Sequence, residues 1–342
     1  MDVSRLAIAL ANAAGPAGFE DGAAELIKRE IAPFVDEVKT DVMGNVLALK
    51  RCGREDAPTV LLDAHMDEIG LIVTGYDGGH LRFNSLGGVD PRMLPAREIK
   101  ILADKPLYGV ISVMPPHALS SGDMSKALGM DELYIDIGMD EEAAKAAVRV
   151  GTPCVFADGA FTLGEDSVCG KSLDNRSCVA IVIKIMERLS EKLCDVNVAC
   201  LFSVQEEIGL RGAVTGAFGL EPDYAIIMDV TFGKTPDVAE HLCLKMGGGP
   251  AIGVGPNTNR AFTKKIMDKA AEKGIDYQLE VLPGNSGTNA WAIQTSRVGV
   301  ATALVSLPLK YMHSPVEVFR ISDAEAIIEL VSEFLSESGE VL

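Results

Sequence analysis

Four unbroken apolar runs of strand length constrain this chain more than any other feature: "TVLLDAH", "VNVACLFSV", "DYAIIMDV" and "VATALVSLPL". A strand with one wet face alternates polar and apolar residues, because successive side chains point to opposite faces. Runs without that alternation belong to strands covered on both faces, as in a central sheet layered with helices. Helical patterns accompany them, roughly over 3–14 and 20–33 and through "CVAIVIKIMERLSEKL". The closing segment "ISDAEAIIELVSEFLSE" is amphipathic, and Ser322 with Glu325 has the spacing of a capping box. "EVKTDVMGNVLALKR" reads as a hairpin turning at Gly44-Asn45.

Between residues 69 and 165 the texture changes. Short β-type runs such as "GLIVTGY", "EIKILA" and "YGVISVM" alternate with glycine, proline and aspartate turns. One acidic, alanine-rich helical piece, "MDEEAAKAAVRV", sits near the end of this region. A chain of 342 residues has room for two domains. The expected organisation is an α/β domain made from residues 1–68 and 166–342, interrupted by a β-rich insert over 69–165.

The formal net charge of −18 argues against nucleic acid or an anionic membrane as partner, since both select stripes of lysine and arginine. Seven cysteines are scattered without a C-x-x-C, which points to free thiols in a reducing, cytoplasmic setting rather than to a disulfide framework. No 18-residue apolar stretch suggests a membrane span. The opening "MDVSRLAIALANAAG" reads as a helix rather than a cleaved leader.

The residues that end the apolar runs carry the chemistry. "VLLDAH" delivers His65, with Asp67 two residues on; "LFSVQ" delivers Glu206 and Glu207; "AIIM" delivers Asp229; "LPLKYM" delivers His313; and Asp174 stands just before a long helix. In doubly wound folds, sites gather at the carboxyl ends of the strands. Adjacent Glu206 and Glu207 repel, and a regular pleat would turn one of them away. The expectation is that the strand stops near Gln205, that the "GLRG" turn lets both carboxylates converge, and that a divalent cation makes their proximity favourable. Histidines with carboxylates form a ligand set for zinc, cobalt or manganese. Two metals about 3.5–4 Å apart need a bridging carboxylate, for which Asp174 is a candidate.

Taken singly, each residue has a plainer reading: His65 a hydrogen-bonded structural histidine, the glutamates a solvated pair, Asp174 a helix N-cap and Asp229 a strand terminator. His80, His117 and His241 lack acidic partners at suggestive spacing and read as structural or surface residues. "KMGGGPAIGVGPNTNR" lacks a Walker ending and reads as a close-approach loop. Ser120-Ser121 and the cysteines have no nearby base for nucleophilic catalysis.

"DAHMDEIG", "KSLDNR", "VQEEIGLRGA", "MDV" and "HSPVE", with "PPHALSSGDM…DELYIDIG" in the insert, occur in an order that resembles the tetrahedral (glutamyl) aminopeptidases, some of which are labelled endoglucanase or cellulase M. The resemblance implies a zinc-exopeptidase-like mixed sheet flanked by helices, with a β-barrel-like dimerisation insert. It implies two divalent metal ions per subunit, zinc first with cobalt or manganese as alternatives. His65 and Asp229 would hold one ion, Glu207 and His313 the other, and Asp174 would bridge them. Glu206 would be the general acid/base and Asp67 would orient His65. Peptide substrates, dimers and a tetrahedral dodecamer are implied as well. Where the family has Gly-Thr-Asp-Ala this chain has "GTNAW", so Asn289 replaces a carboxylate beside Trp291, with consequences expected for hydrogen bonding and charge in the substrate pocket.

The function expected is hydrolysis of the N-terminal peptide bond. A deacylase or carboxypeptidase on the same ligands, a carboxylate glycosidase and a non-catalytic metal-binding scaffold are the alternatives. Low aromatic content, 5%, argues against a carbohydrate site, and Glu206 as an unligated base argues against a scaffold.

Overall fold

A computed structural model of the chain describes residues 1–337 apart from 116, 118–127, 193 and 237. Ser120-Ser121 and most of "PPHALSSGDM" lie outside the described residues. The four apolar runs form the strands Thr59–His65, Asn197–Ser203, Tyr224–Phe232 and Ala301–Lys310. They lie side by side and parallel, with Thr59–His65 between Asn197–Ser203 and Tyr224–Phe232, and Ala301–Lys310 beyond the latter. The expected hairpin, Glu37–Thr40 with Val46–Lys50, extends one edge in antiparallel sense. Glu317–Arg320, Ser167–Gly170 and Phe161–Thr162 continue the other edge, and Ala251–Val254 with Gln278–Val281 branches from Ala301–Lys310, making a mixed 11-stranded sheet.

Both faces of the parallel core are buried, which is why alternation is missing from its sequence. Val60, Leu62 and Ala64 face a large core built with the helices Val3–Ala11, Leu173–Ser190 and Ile321–Ser336. Leu61 faces the opposite way, against Ala213 and Ala217 of helix Arg211–Leu220 and Ala290 and Ile293 of helix Ala290–Ile293. Each fully buried aliphatic side chain contributes about 1.5–3 kcal/mol, so a polar residue inside such a run needs a specific compensation. The alternation then matters at the strand ends. His65 shares the face of Leu61, Asp229 that of Ala225 and Ile227, and Ser306 that of Leu304. All three therefore emerge on the side of the smaller core, at the carboxyl end of the sheet.

Six strands from the middle of the chain, Gly70–Asp77, His80–Leu86, Tyr134–Asp136, Leu107–Ser112, Glu98–Ile101 and Pro153–Phe156, close in that order into a barrel. It encloses its own core, including Leu71, Leu81, Ile99, Ile111 and Ile135. The acidic helical piece is helix Glu141–Ala147, capped by the Asp140 side chain, which accepts from Ala143 N at 2.8 Å.

Two local expectations are corrected. The closing helix begins at Ile321, directly after strand Glu317–Arg320, so Ser322 falls inside its first turn and no capping box forms. Instead Ser322 N and Oγ donate to Asp166, at 2.9 and 2.7 Å. Asp229 does not end its strand, which continues to Phe232 because the residues beyond it still pair with Ala301–Lys310. No helix among the described residues is long and apolar enough to cross a membrane.

Candidate metal centre

Strand Thr59–His65 ends on His65 itself, and strand Asn197–Ser203 ends three residues before Glu206. Gln205 takes a left-handed φ of 55°, which turns the chain out of the pleat at the point where two carboxylates must face one way. Asp67 then holds the exit loop: its Oδ1 accepts Glu206 N and its Oδ2 accepts Glu207 N, both at 3.0 Å. The same carboxylate lies 3.4 Å from His65 Nδ1.

Asp174 lies in the first turn of helix Leu173–Ser190 but at non-helical angles (φ −78°, ψ 102°), and it is not the N-cap, a position held by Ser172. Its side chain turns into the site instead. Oδ1 is 3.1 Å from His65 Nε2, and Oδ2 is 3.4 Å from His313 Nε2. Asp229 Oδ1 lies 3.8 Å from His65 Nε2, and Glu207 Oε1 lies 3.4 Å from His313 Nε2. Two triads result, His65–Asp174–Asp229 and Asp174–Glu207–His313, each with its donor atoms within 4.8 Å of one another. Asp174 belongs to both and offers a different oxygen to each. His65 with Glu206 and Glu207 forms a third possible grouping.

Two contacts fix the second triad, one from the loop after a barrel strand and one from strand Glu317–Arg320. Gly88, in the loop after barrel strand His80–Leu86, approaches His313 so closely that a Cβ there would meet Nδ1 at 2.7 Å. Its carbonyl oxygen lies 3.1 Å from His313 Nδ1, leaving Nε2 to face Asp174 and Glu207. Buried Glu317 accepts His313 N on Oε1 at 2.8 Å and Asp174 N on Oε2 at 3.0 Å. It thereby ties together the backbones of two residues 139 positions apart in sequence order (174 and 313).

The electrostatics favour a cation. Burial raises the Glu206 carboxyl to about 7 and that of Glu207 to about 8, with neighbouring Asp174 adding to both. Asp229 is pushed well above the usual carboxylate range, first by burial. Burial opposes a charged imidazole at His65, yet the surrounding carboxylates hold it well above its ordinary value. His313 rises to about 10, chiefly through Asp174. Carboxylates and imidazoles so crowded accommodate charge by sharing protons or by holding divalent cations, and the oxygen–nitrogen donor set fits the latter. The residues present can therefore hold a metal.

The seven candidate residues thus come together at one place. Three other groups matter that the sequence did not single out: Glu317, and beneath His65 the buried Asp63, whose Oδ2 accepts Asn289 Nδ2 at 2.8 Å; in the cavity wall, Glu280. Asn289 also donates to Ser203 Oγ at 2.8 Å. Neither Asn289 nor Trp291 is among the residues lining the site cavity, so the replacement alters hydrogen bonding, as expected, but behind the His65 strand rather than on the pocket wall. "HSPVE" contained the only sequence signal for Glu317.

Comparison with known proteins agrees with this geometry. The model of the M42 glutamyl aminopeptidase family matches residues 44–330. The chain is 38% identical over 330 residues to a lysyl aminopeptidase of Pyrococcus furiosus, covering 94% of each. Among solved structures, the aminopeptidase APDkam598 of the archaeon Desulfurococcus kamchatkensis is 33% identical, with a TM-score of 0.90 over 98% of this chain and 94% of that one. The TET1 peptidase of Pyrococcus horikoshii, described as able to assemble into a tetrahedron or a large octahedral shell, is 31% identical, with a TM-score of 0.86 over 98% of this chain and 100% of its own. Sequence, fold and site agree: this chain belongs to the M42 glutamyl aminopeptidase family of metallo-aminopeptidases.

Proposed function

We propose that this enzyme hydrolyses the N-terminal peptide bond of peptides at two divalent cations, one held by His65 and Asp229, the other by Glu207 and His313, with Asp174 between them. The observation that carries the reading is the division of Asp174, one oxygen facing each histidine. Zinc is the first choice, with cobalt or manganese as alternatives. Cations so held would supply Lewis acidity at the scissile carbonyl and a nucleophile at neutral pH.

The chain's own residues do the rest. Glu206 is left outside both triads, and it takes a proton from the attacking water and returns it to the leaving amine, a contribution of about 10²–10⁴-fold. Asp67 positions His65 and the Glu206–Glu207 backbone together. The barrel region, 69–165, serves as a dimerisation unit, and the TET1 relative, described as a tetrahedron and in a second structure as a dodecamer, supports higher assembly into a tetrahedral dodecamer. Seven unpaired cysteines suit a reducing cytoplasm.

The test is a panel of aminoacyl-p-nitroanilides with N-acetylated controls, assayed after chelation and again after adding zinc, cobalt or manganese. Metal-restored cleavage of unblocked substrates alone is the expected result. Release of acetate from the blocked controls would move the assignment to a deacylase, cleavage of N-blocked peptides that carry a free C-terminal carboxylate would move it to a carboxypeptidase, and activity that survives chelation would remove the metal from it.

A further inference from the structure

We infer that Glu280 selects a cationic side chain on the substrate's first residue, so that the enzyme acts on peptides beginning with lysine or arginine. The inference rests on the aminopeptidase reading above and names the substrate class for that site.

A cavity of about 430 Å³ opens beside the metal centre, and Glu280 is its one carboxylate outside the candidate catalytic set. Among the described residues no lysine or arginine lines it. Glu280 sits on the short strand Gln278–Val281, and its carboxylate reaches the parallel sheet, where Oε2 accepts Ser306 Oγ at 2.9 Å and Oε1 accepts Thr231 Oγ1. Ser306 stands opposite Asp229 in the strand register. Thr231 follows Asp229 by two residues on the same face, about 6.6 Å further along the strand. The carboxylate is thus fixed against the strands that carry Asp229 and Ser306, in the wall of the same cavity that His65, Asp174 and Asp229 line.

Two hydroxyls orient Glu280 and leave further lone pairs unfilled, since an ionised carboxylate accepts about four hydrogen bonds. Among the described residues no cation balances it, and burial already weighs against its charge. A mostly buried carboxylate without a counter-ion is costly, and an ammonium or guanidinium arriving with substrate removes that cost. Leu210, Phe232 and Met312 complete the wall and suit the aliphatic stem of a lysine or arginine. An acidic first residue would meet only like charge there, despite the glutamyl in the family's description.

The decisive comparison is between lysyl- and norleucyl-p-nitroanilide, whose side chains share a four-carbon stem and differ at the terminal ammonium. With the metal-loaded wild type, kcat/KM for lysyl should exceed that for norleucyl by about 10–100-fold, the range of a charge-assisted hydrogen bond, and glutamyl should be the poorest substrate. In Glu280→Gln the lysyl-to-norleucyl ratio should collapse towards one. A wild-type ratio near one, a preference for glutamyl, or a variant that keeps the wild-type ratio would overturn the inference while leaving the aminopeptidase intact. Failure to cleave any unblocked substrate would overturn both. If the variant does not fold, the wild-type ratio alone decides.

Discussion

The carboxylate of Asp67 accepts the backbone N–H of Glu206 at 3.0 Å, and its second oxygen takes that of Glu207 at the same distance. Two adjacent acids can share the exit loop of a buried strand because a third one, two residues beyond His65, binds their backbone rather than repelling their side chains. Glu317 is the counterpart across the site, accepting the N–H groups of His313 and Asp174. Four of the five proposed metal-binding or base-carrying segments are thus set by two carboxylates that need not touch the metal themselves.

Asp67→Asn keeps the shape but puts an amide where one of two backbone N–H groups needs an acceptor. Metal affinity and kcat should each fall by about 10–100-fold, the usual effect of removing a partner that orients a ligand. Competition with a metal-sensitive chelator and steady-state kinetics measure both. Unchanged values would show that the Gln205 turn alone positions the glutamates.

Glu206→Gln should behave differently. The cations remain, because neither triad uses Glu206, while kcat falls by about 10²–10⁴-fold. Metal content by atomic absorption, read beside turnover, separates this variant from Asp67→Asn. Loss of metal from Glu206→Gln would favour the third grouping, in which Glu206 joins His65 and Glu207 as a ligand.

Glu317→Gln probes the second clamp. The amide again offers one acceptor to two backbone donors, and a buried donor left unsatisfied costs about 1–3 kcal/mol. Chelator-treated protein should lose that stability in urea titrations, and the metal-loaded protein should release its cations faster. Equal unfolding midpoints for wild type and variant would reduce Glu317 to a bystander.

The sequence showed the seven candidate residues because each is attached to a local signal, an apolar run that stops or a helix that starts. Glu317 and Glu280 have no such signal. Their roles depend on which strands become neighbours: Glu317 works because its strand returns beside both Ala301–Lys310 and Ser167–Gly170, and Glu280 because an edge strand brings its carboxylate to Thr231 and Ser306. Asp174 illustrates the converse. Its position before a helix suggested a cap, yet Ser172 occupies that position and frees Asp174 for the site. Likewise, Asn289 was visible as a departure, but only the register of Asp63 and Ser203 showed that it acts beneath the strands.

Thiol reactivity follows from burial. Burial pushes the Cys154 thiol up to about 12 and lifts Cys178 and Cys200 further above their ordinary value. Those three and buried Cys169 should resist a disulfide reagent in the native protein, whereas half-buried Cys52, Cys194 and Cys243 should react. Counting modified residues by mass spectrometry before and after denaturation tests this, and rapid native labelling of Cys178 would show that the metal-centre helix opens.

Acid stability turns on the ion cluster beneath the site. Buried Glu68 lies 2.7 Å from Lys171 Nζ and 3.9 Å from Arg176. Burial alone would raise its carboxyl, but the two cations outweigh it and hold Glu68 below its ordinary 4.5. A group depressed on folding contributes stability above its unfolded pKa and loses it as pH falls through the lower, folded value. Glu68→Gln removes the carboxylate that lies against both buried cations, so at pH 7 it should cost about 3–5 kcal/mol. That difference should persist down to about pH 4.5 and shrink below it, because the wild type then loses the same charge. Urea midpoints of the two proteins between pH 7 and pH 3 measure the gap; a constant gap across that range would place the stabilisation in packing rather than in the charge of Glu68.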